Sequence, residues 1–332
     1  VEDYLAIRPE AQDRIVAHVT AGRLQIGPWY TAPECFCVTG ESLVRNLLYG
    51  HRVARAFGAV MKVGYTPFSY GQNSQMPQIY QGFGIDTMLF YHGVSHDDTR
   101  NEFWFEGADG SRVLGSQISS FARYNYYHHV YRGVKYGADI DDRMYDWRTG
   151  GCPFHLASEA EAPTHHILLD PVAGFDKAGV AERIRRLREM EAAVATTEQI
   201  AFMMGHDSSL PDPLELDILD EAKKYMGKDR LFHSTLPEYM ARVKASVKNL
   251  EVRKGEQRVP KPMPLILHLY SDVLSSRSRM KRLNALAEMG LQRSAEPFAS
   301  FAWTLGAAYP QAPLDLAWKT LLSSHAHDSI AG

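Results

Sequence analysis

The sequence has little of what would place it in several large protein classes. Its three cysteines are an odd number among 332 residues, so we expect no disulfide framework and predict a reducing, cytoplasmic location. No apolar run reaches about 18 residues, so neither a membrane-spanning helix nor a membrane partner is predicted. The 36 basic residues do not exceed the 39 acidic ones, so the chain has no charge surplus for binding nucleic acid.

Local catalytic motifs are also missing. The sequence has no Walker loop, no G-x-G-x-x-G fingerprint, no G-x-S-x-G elbow and no paired CxxC, so dinucleotide chemistry and triad hydrolysis have no local support. The composition is that of a globular protein, with 45% hydrophobic and 23% charged residues. Val1 follows no Met or leader and Gly332 ends without a tail, so we expect a fragment of a longer protein.

Short apolar runs alternate with helical patterns over the first two thirds of the sequence. The predicted strands are residues 24–27, 61–65, 87–91, 112–115, 165–169 and 200–204, and the predicted helices are residues 10–21, 41–57, 75–83, 177–195 and 215–226. This alternation predicts an α/β fold with a parallel sheet, open or barrel-like, and helices outside it. In such folds the chemistry lies at the carboxyl ends of the strands.

The pattern changes near residue 247. Residues 247–264 are charged and rich in proline, which predicts an extended connector. Residues 275–332 have helical patterns, within a helical bundle domain that we predict to begin at residue 265. We therefore predict an α/β catalytic-type domain over residues 1–246, with its amino-terminal part missing, then the connector, then the start of a helical bundle domain.

Two polar stretches follow predicted strands. Residues 64–77 form a glycine-bearing loop that could face a pocket, or could simply be a strand-to-helix turn in which Gly71 supplies a special backbone conformation. Asp207 lies just past the apolar run 200–204. A carboxylate there suits general acid–base chemistry, but it could equally cap the next segment.

Two histidine-bearing stretches are further candidates. Residues 324–329 (SHAHDS) hold two histidines and an aspartate, which could ligate a metal only with partners from elsewhere in the chain, and which otherwise form a polar helix end. Residues 124–132 (YNYYHHVYR) combine aromatic and histidine side chains. They suit sugar stacking, although a half-buried surface element is slightly favoured.

Taken in order, the motifs of this chain resemble those of glycoside hydrolase family 38, the α-mannosidases. The matching segments are residues 24–31 (LQIGPWYT), 40–47 (GESLVRNL), 61–65 (MKVGY), 75–79 (QMPQI), 82–86 (GFGID), 205–207 (GHD), 275–284, 295–297, 309–310, 318–319 and 325–332 (HAHDSIAG). The resemblance extends over essentially the whole chain. It implies a seven-stranded parallel or barrel-like core with outer helices, followed by part of a helical bundle.

The resemblance also implies a mechanism, the retaining hydrolysis of α-mannosides or related α-glycosides by two carboxylates, assisted by zinc. By motif, Asp207 matches the acid/base, His327 matches a zinc ligand and Asp328 matches a residue that contacts substrate. The further candidates for substrate binding are Tyr65, His92 and His206. A carbohydrate is therefore the expected partner, and a homo-oligomer is hinted at.

The chain departs from the family pattern at the nucleophile. Phe68 occupies the position of the nucleophilic aspartate, and a benzyl ring can neither attack an anomeric carbon nor bind zinc. His92 replaces an arginine that the family usually has nearby, so a carboxylate and its cationic neighbour change together. The family's first metal motif, a His-x-Asp near the amino terminus, is absent from this sequence. Of four expected ligands the chain offers His327, so zinc is expected of the intact family and not of this chain alone.

Three functions stay open at this point. The first is an α-mannosidase-like enzyme with a reworked nucleophile, either Tyr65 or Tyr70 beside the Phe68 position or a directly attacking water. The second is a catalytically inactive carbohydrate-binding homologue. The third is a metal-dependent deacetylase-like hydrolase, which needs an Asp-His-His set that the sequence does not assemble.

Overall fold

The computed structural model describes residues 1–67, 69–119, 123–137, 174–205, 211–259 and 271–331. The helices are α1 Glu2–Ile7, α2 Gln12–Thr20, α3 Gly40–Ala56, α4 Met76–Gly82, α5 Arg132–Tyr136, α6 Lys177–Val194, α7 Leu214–Lys223, α8 Leu236–Ser246, α9 Ser278–Gly290, α10 Glu296–Thr304, α11 Gln311–Ser324 and α12 His327–Ala331. The strands are β1 Gly64–Thr66, β2 Thr87–Phe90, β3 Glu102–Glu106, β4 Arg112–Gln117 and β5 Val252–Lys254.

These strands form one mixed sheet in the order β1-β2-β4-β3-β5. All neighbours are parallel except β3 and β4, which are antiparallel. The expectation of a purely parallel sheet is therefore wrong, because only a tight turn joins β3 to β4. Gly107 N donates to Ser111 O across this turn, and Gly110 has φ +84°. So short a connection can form only a hairpin. The predicted seven strands compare with five in the described part of the chain.

The predicted strand at residues 24–27 does not join the sheet. Ile26 O accepts a hydrogen bond from Met61 N, but the backbone then leaves the extended conformation at Gly27, where φ is +93°. Pro28, which has no N–H to donate, follows directly. The segment therefore adds no strand to the sheet.

In the part of the chain that the structure describes, the predicted strand at residues 200–204 pairs with a side chain and not with a strand. Asn125 donates from Nδ2 to Ala201 O, and Asn125 Oδ1 accepts from Met203 N. One amide thus satisfies the backbone groups that a ladder would otherwise pair. The remaining predicted strand, residues 165–169, lies outside the described residues.

The predicted connector, residues 247–264, also contains sheet structure. Within it, β5 pairs in parallel with β3, and Lys254 forms an ion pair with Glu106 on that neighbouring strand. Charged residues are common on edge strands, which is why the composition of this segment did not indicate a strand.

The core confirms the α/β class. Strand β2 alternates between two apolar clusters, as the two-residue period of a strand requires. Met88 and Phe90 pack towards the cluster of α3 and α4, whereas Leu89 packs towards the cluster of α8. Helices therefore cover both faces of the sheet.

Residues 271–331 are helical in the described structure and pack against α3. Trp318 on α11 is fully buried and shares an apolar cluster with Tyr49 of α3. On α10, in contrast, Phe298 and Phe301 are largely exposed. None of the helices in the described ranges has the length and hydropathy to cross a bilayer.

Candidate functional site

The candidate site lies at the edge of the sheet where the parallel strands β1, β2 and β4 end. The loop after β1 is tied to the loop after β2, because Thr66 Oγ1 donates to Gln72 Oε1 at 2.8 Å and Gln72 Nε2 donates to His92 O at 3.2 Å. Gln117, the last residue of β4, donates from Nε2 to Tyr91 O at 2.8 Å. Buried amides thus hold the strand-end loops as one unit.

Residues 257–259 pair with these strand-end loops along one side. Gln257 exchanges two backbone hydrogen bonds with Gln72, at 2.8 and 2.9 Å, and Val259 N donates to Gly93 O at 3.0 Å. A Cβ atom added to Gly93 would lie 2.4 Å from Gln257 O, and Gly93 has φ +117°. Glycine is therefore required where the two segments meet.

Four polar side chains converge on this edge and form what we call the Tyr70 cluster: Tyr70, His92, His327 and Asp328. Tyr70 Oη donates to Asp328 Oδ1 at 3.3 Å. The Tyr70 ring lies edge-on to the His92 ring at 5.6 Å and to the His327 ring at 6.3 Å. Sequence-distant groups thus face the same space.

The start of α12 brings two members of the cluster to the loops. His327 N donates to Ala32 O at 3.0 Å, and Glu34 N donates to His325 O at 3.2 Å. These bonds form an antiparallel bridge that fixes the last helix against residues 32–34. Asp328 then projects into solvent with 79% of its side chain exposed, 3.3 Å from His327 Nε2. Its carboxylate is open to a ligand.

Glu34 lies beneath the cluster and was missed at the level of sequence. Its side chain is fully buried. Oε2 accepts from Tyr70 N at 2.7 Å and Oε1 accepts from Phe36 N at 3.2 Å. Burial raises the pKa of Glu34 to about 7, against the lowering effect of these N–H donors and of the Arg258 charge. No motif marks such a residue, because its partners are backbone groups.

The structure separates the remaining predicted residues. Tyr65 lies on β1 and packs against the apolar cluster that contains Leu89, where burial raises its pKa to about 12. It is therefore not grouped with Tyr70. Phe68, His206 and Asp207 lie outside the described residues, so their roles stay predictions.

The two histidines of residues 324–329 have different surroundings. His325 is buried, and its Nε2 meets Asn284 Oδ1 at 2.7 Å. Burial lowers the pKa of His325, with Glu288 acting in the opposite direction. His325 thus belongs to the packing between helices, and His327 is the histidine that faces Tyr70.

The described residues do not by themselves fit a zinc site. Across the ranges that the structure describes, no three His, Cys, Asp or Glu side chains are grouped so that they could hold a metal. Within the described ranges Asp328 lies beside His327 as a further donor of that kind, whereas a structural or catalytic zinc takes three or four protein ligands. We therefore derive no chemical step through a metal.

The aromatic and histidine stretch of residues 124–132 is mostly interior. Tyr127, Val130 and Tyr131 are buried in an apolar cluster with Ile184 and Leu187 of α6. Asn125 anchors the stretch to Glu191 at 3.1 Å. Packing accounts for these side chains, which favours the structural interpretation over a sugar-stacking surface.

Comparison with known proteins relates this chain to a family. Residues 2–261 match the glycosyl hydrolases family 38 N-terminal domain, and residues 268–332 match the alpha mannosidase middle domain. A putative mannosylglycerate hydrolase of Halalkalibacterium halodurans is 28% identical over 100% of this chain and 33% of its own length. Human alpha-mannosidase 2C1 is 23% identical over 89% of this chain and 23% of its own length.

A solved structure agrees with these sequence matches. The crystal structure of an alpha-mannosidase from Enterococcus faecalis V583 has a TM-score of 0.75 and 26% identity, covering 100% of this chain and 33% of that one. The chain thus spans about a third of the length of this enzyme and of the Halalkalibacterium protein. The first domain match alone covers more than half of the chain, and the second follows it in order. The chain therefore belongs to glycoside hydrolase family 38.

Proposed function

We propose that the full-length protein containing this chain is an α-mannosidase-like glycoside hydrolase that acts on α-mannosides or related α-glycosides. The observation that carries this proposal is the Tyr70 cluster, which collects polar groups at the strand-end edge of the family fold. Ligands of open α/β folds bind at this edge. A sugar, with hydroxyls all around its ring, suits a site of mixed donors and acceptors.

The names of the relatives indicate which substrates to test first. The names of these relatives describe a putative mannosylglycerate hydrolase and alpha-mannosidases, and all of these names refer to mannosides. An α-mannoside is therefore the first choice. Mannosylglycerate would add a carboxylate to the part of the substrate that leaves.

The proposed chemistry assigns roles to this chain's own residues. Asp328, exposed at the edge of the cluster, accepts hydrogen bonds from sugar hydroxyls, and the His92 ring forms part of the wall. Asp207 is the expected acid that protonates the leaving oxygen and then the base that activates water. His206 and Tyr65 remain expected contributors to substrate binding, and zinc remains an expectation for the intact protein, with His327 as a ligand.

The test measures hydrolysis of a panel of aryl α-glycosides by the full-length protein, with and without added zinc, and reads product configuration by NMR. We expect turnover of the α-mannoside, and about 100-fold less for Asp207→Asn with substrates that need acid assistance. Asp217→Asn, an exposed aspartate on α7, is the matched control and keeps full activity.

One observation favours a second candidate, a catalytically inactive carbohydrate-binding homologue. By motif resemblance Phe68 takes the family's nucleophile position, and two-carboxylate hydrolysis needs a nucleophile there. Calorimetric titration of the same protein with α-mannosides decides between the two candidates. Sugar binding without turnover of any glycoside in the panel would contradict the enzyme and support the binding protein.

A further inference from the structure

We propose that Glu34 is a positioning residue, which holds the Tyr70 side chain in place for contact with the sugar. The inference rests on the proposed glycosidase function and adds to it a residue that acts through Tyr70 and not on the substrate. Glu34 is fully buried. It joins two segments that are distant in sequence, the loop after β1, which carries Tyr70, and the start of α12, which carries Asp328.

The side chain of Glu34 fixes the backbone at Tyr70. Its Oε2 atom accepts a hydrogen bond from Tyr70 N at 2.7 Å, and its Oε1 atom accepts from Phe36 N at 3.2 Å. The bond to Phe36 orients the carboxylate, because it holds the second oxygen against the segment to which Glu34 itself belongs. Hydrogen bonds to a carboxylate are stronger than those between neutral groups, and burial shields them from water.

The backbone of Glu34 acts on the other segment. Glu34 N donates to His325 O at 3.2 Å, within the antiparallel bridge that fixes the start of α12. Asp328 lies in the first turn of that helix. Glu34 therefore sets the position of Tyr70 through its side chain and contributes to the position of Asp328 through its backbone.

The loop around Tyr70 is also anchored on either side of it. Cys35 N donates to Ser69 Oγ at 3.4 Å, and Gln72 N donates to Gln257 O at 2.8 Å. The bond from Glu34 acts between these two anchors, at Tyr70 itself. Loss of the Glu34 carboxylate should therefore leave the loop attached and loosen the residue in the middle, a local change in a fold that otherwise persists.

The place of Tyr70 matters because its side chain faces the other groups of the Tyr70 cluster. Tyr70 Oη donates to Asp328 Oδ1 at 3.3 Å, and the Tyr70 ring lies 5.6 Å from the His92 ring. A displacement of about 1 Å caused by a remote substitution can lower a reaction rate about 100-fold. A shifted Tyr70 would present the sugar with a different wall and a different hydrogen-bonding partner.

The test is a double-mutant cycle on the full-length protein, with kcat/KM measured for an aryl α-mannoside at about pH 8, above the Glu34 pKa of about 7. Glu34→Ala is expected to lower kcat/KM about 100-fold. Tyr70→Ala removes the side chain that is positioned but keeps the backbone N–H. Adding Glu34→Ala to Tyr70→Ala is therefore expected to cost less than about a further threefold.

A gentler variant and a matched control accompany the cycle. Glu34→Gln keeps the size of the side chain and one acceptor oxygen, so we expect a loss of about 10-fold in kcat/KM, between wild type and Glu34→Ala. Hydrogen exchange of peptides that contain Tyr70, read by mass spectrometry, should be faster in both Glu34 variants. The control is Glu102→Gln, in which the glutamate is also buried and accepts from a backbone N–H, that of Thr196 at 2.7 Å. It should keep wild-type kcat/KM.

The outcomes separate this inference from the function on which it rests. The same fold-loss for Glu34→Ala in the wild-type and Tyr70→Ala backgrounds would overturn positioning through Tyr70 and leave the glycosidase intact. Wild-type kcat/KM in Glu34→Gln together with unchanged hydrogen exchange at Tyr70 would overturn it as well, even if Glu34→Ala does not fold. Failure of the wild-type protein to hydrolyse any α-glycoside would overturn the proposed function itself, and the positioning role with it.

Discussion

Two buried glutamates, Glu34 and Glu288, have carboxylates sealed from water by different partners. In the Glu34 cluster (Glu34, Phe36 and Tyr70) the acceptor meets two backbone N–H groups. In the Glu288 cluster (Glu288, Thr39 and Ser42) one carboxylate oxygen accepts from Thr39 N at 2.9 Å, Ser42 Oγ at 2.6 Å and Thr39 Oγ1 at 3.2 Å. The first fixes a loop at the candidate site, and the second fixes one helix against another.

The position of each cluster in the fold explains how its glutamate carboxylate is stabilised. Thr39 is the N-cap of α3 and accepts from Ser42 N, so Glu288 lies at the positive end of a 17-residue helix. Glu34 instead accepts from the backbone N–H groups of Phe36 and Tyr70, which lie in loops, and burial raises its pKa to about 7. The same residue type therefore serves as a fixed helix contact in one place and as a group that titrates near neutral pH in the other.

Removing the Glu288 carboxylate should have the largest effect on stability. In Glu288→Ala three donors at the start of α3 lose their acceptor, so we expect the free energy of unfolding to fall by about 3–5 kcal/mol. Urea unfolding followed by circular dichroism measures it. Glu41→Ala is the matched control, since Glu41 lies in the same first turn but is 44% exposed, and should cost below about 1 kcal/mol. A loss of that small size in Glu288→Ala would contradict a structural role.

Glu34→Gln should change the pH dependence of stability. The pKa of Glu34 is raised from 4.5 to about 7 in the fold, so the folded protein keeps a proton that the unfolded chain has released. The free energy of unfolding of the wild-type protein then falls as the pH rises from about 4.5 to about 7, by up to about 3 kcal/mol. Glutamine cannot ionise, so the variant should lack this component of the slope.

Urea midpoints measured from about pH 5 to about pH 8 test the sign and the size of this linkage. The control variant is Glu256→Gln. Glu256 is exposed and precedes Gln257, whose backbone pairs with that of Gln72. This variant should keep the wild-type dependence of stability on pH. Parallel curves for wild type and Glu34→Gln would mean that Glu34 does not titrate between these pH values, and the two clusters would then be alike.

The sequence predicted those parts of the fold that depend on apolar periodicity. Strands β1, β2 and β4 overlap predicted strands, because runs of buried apolar residues such as Met88–Phe90 and Val113–Leu114 mark them in the sequence. Strand β3 was missed because its sequence EFWFE begins and ends with charge. Glu102 is buried with Thr196 as its partner, and Glu106 pairs with Arg112 and Lys254. These partners are distant or lie on neighbouring strands, so no local window contains the compensation.

The residues of the candidate site also divide into those that the sequence predicted and those that it missed. Motif resemblance singled out His92, His327 and Asp328, which the structure places around Tyr70. Glu34 could not be found from sequence, because a carboxylate that binds backbone N–H groups has no partner residue type to search for. The pairing of Gln257 with Gln72 is likewise a backbone contact, and a charged, proline-rich segment gave no sign of it.

The smallest predicted effect concerns the contact between α3 and α10, beside the Glu288 cluster. Arg45 on α3 makes two hydrogen bonds to the Glu296 carboxylate, at 2.8 and 2.6 Å, and lies over the Trp318 ring. Arg45→Lys keeps the charge but loses the planar, paired geometry, so we expect a loss of about 1 kcal/mol in urea unfolding. Arg52→Lys is the control: Arg52 is half-exposed, makes a single hydrogen bond to Asp315 at 3.2 Å and lies 5.0 Å from the Tyr49 ring centroid, so we expect a change in stability of less than about 0.5 kcal/mol. Equal losses would show that charge alone, and not the paired geometry, holds these helices together.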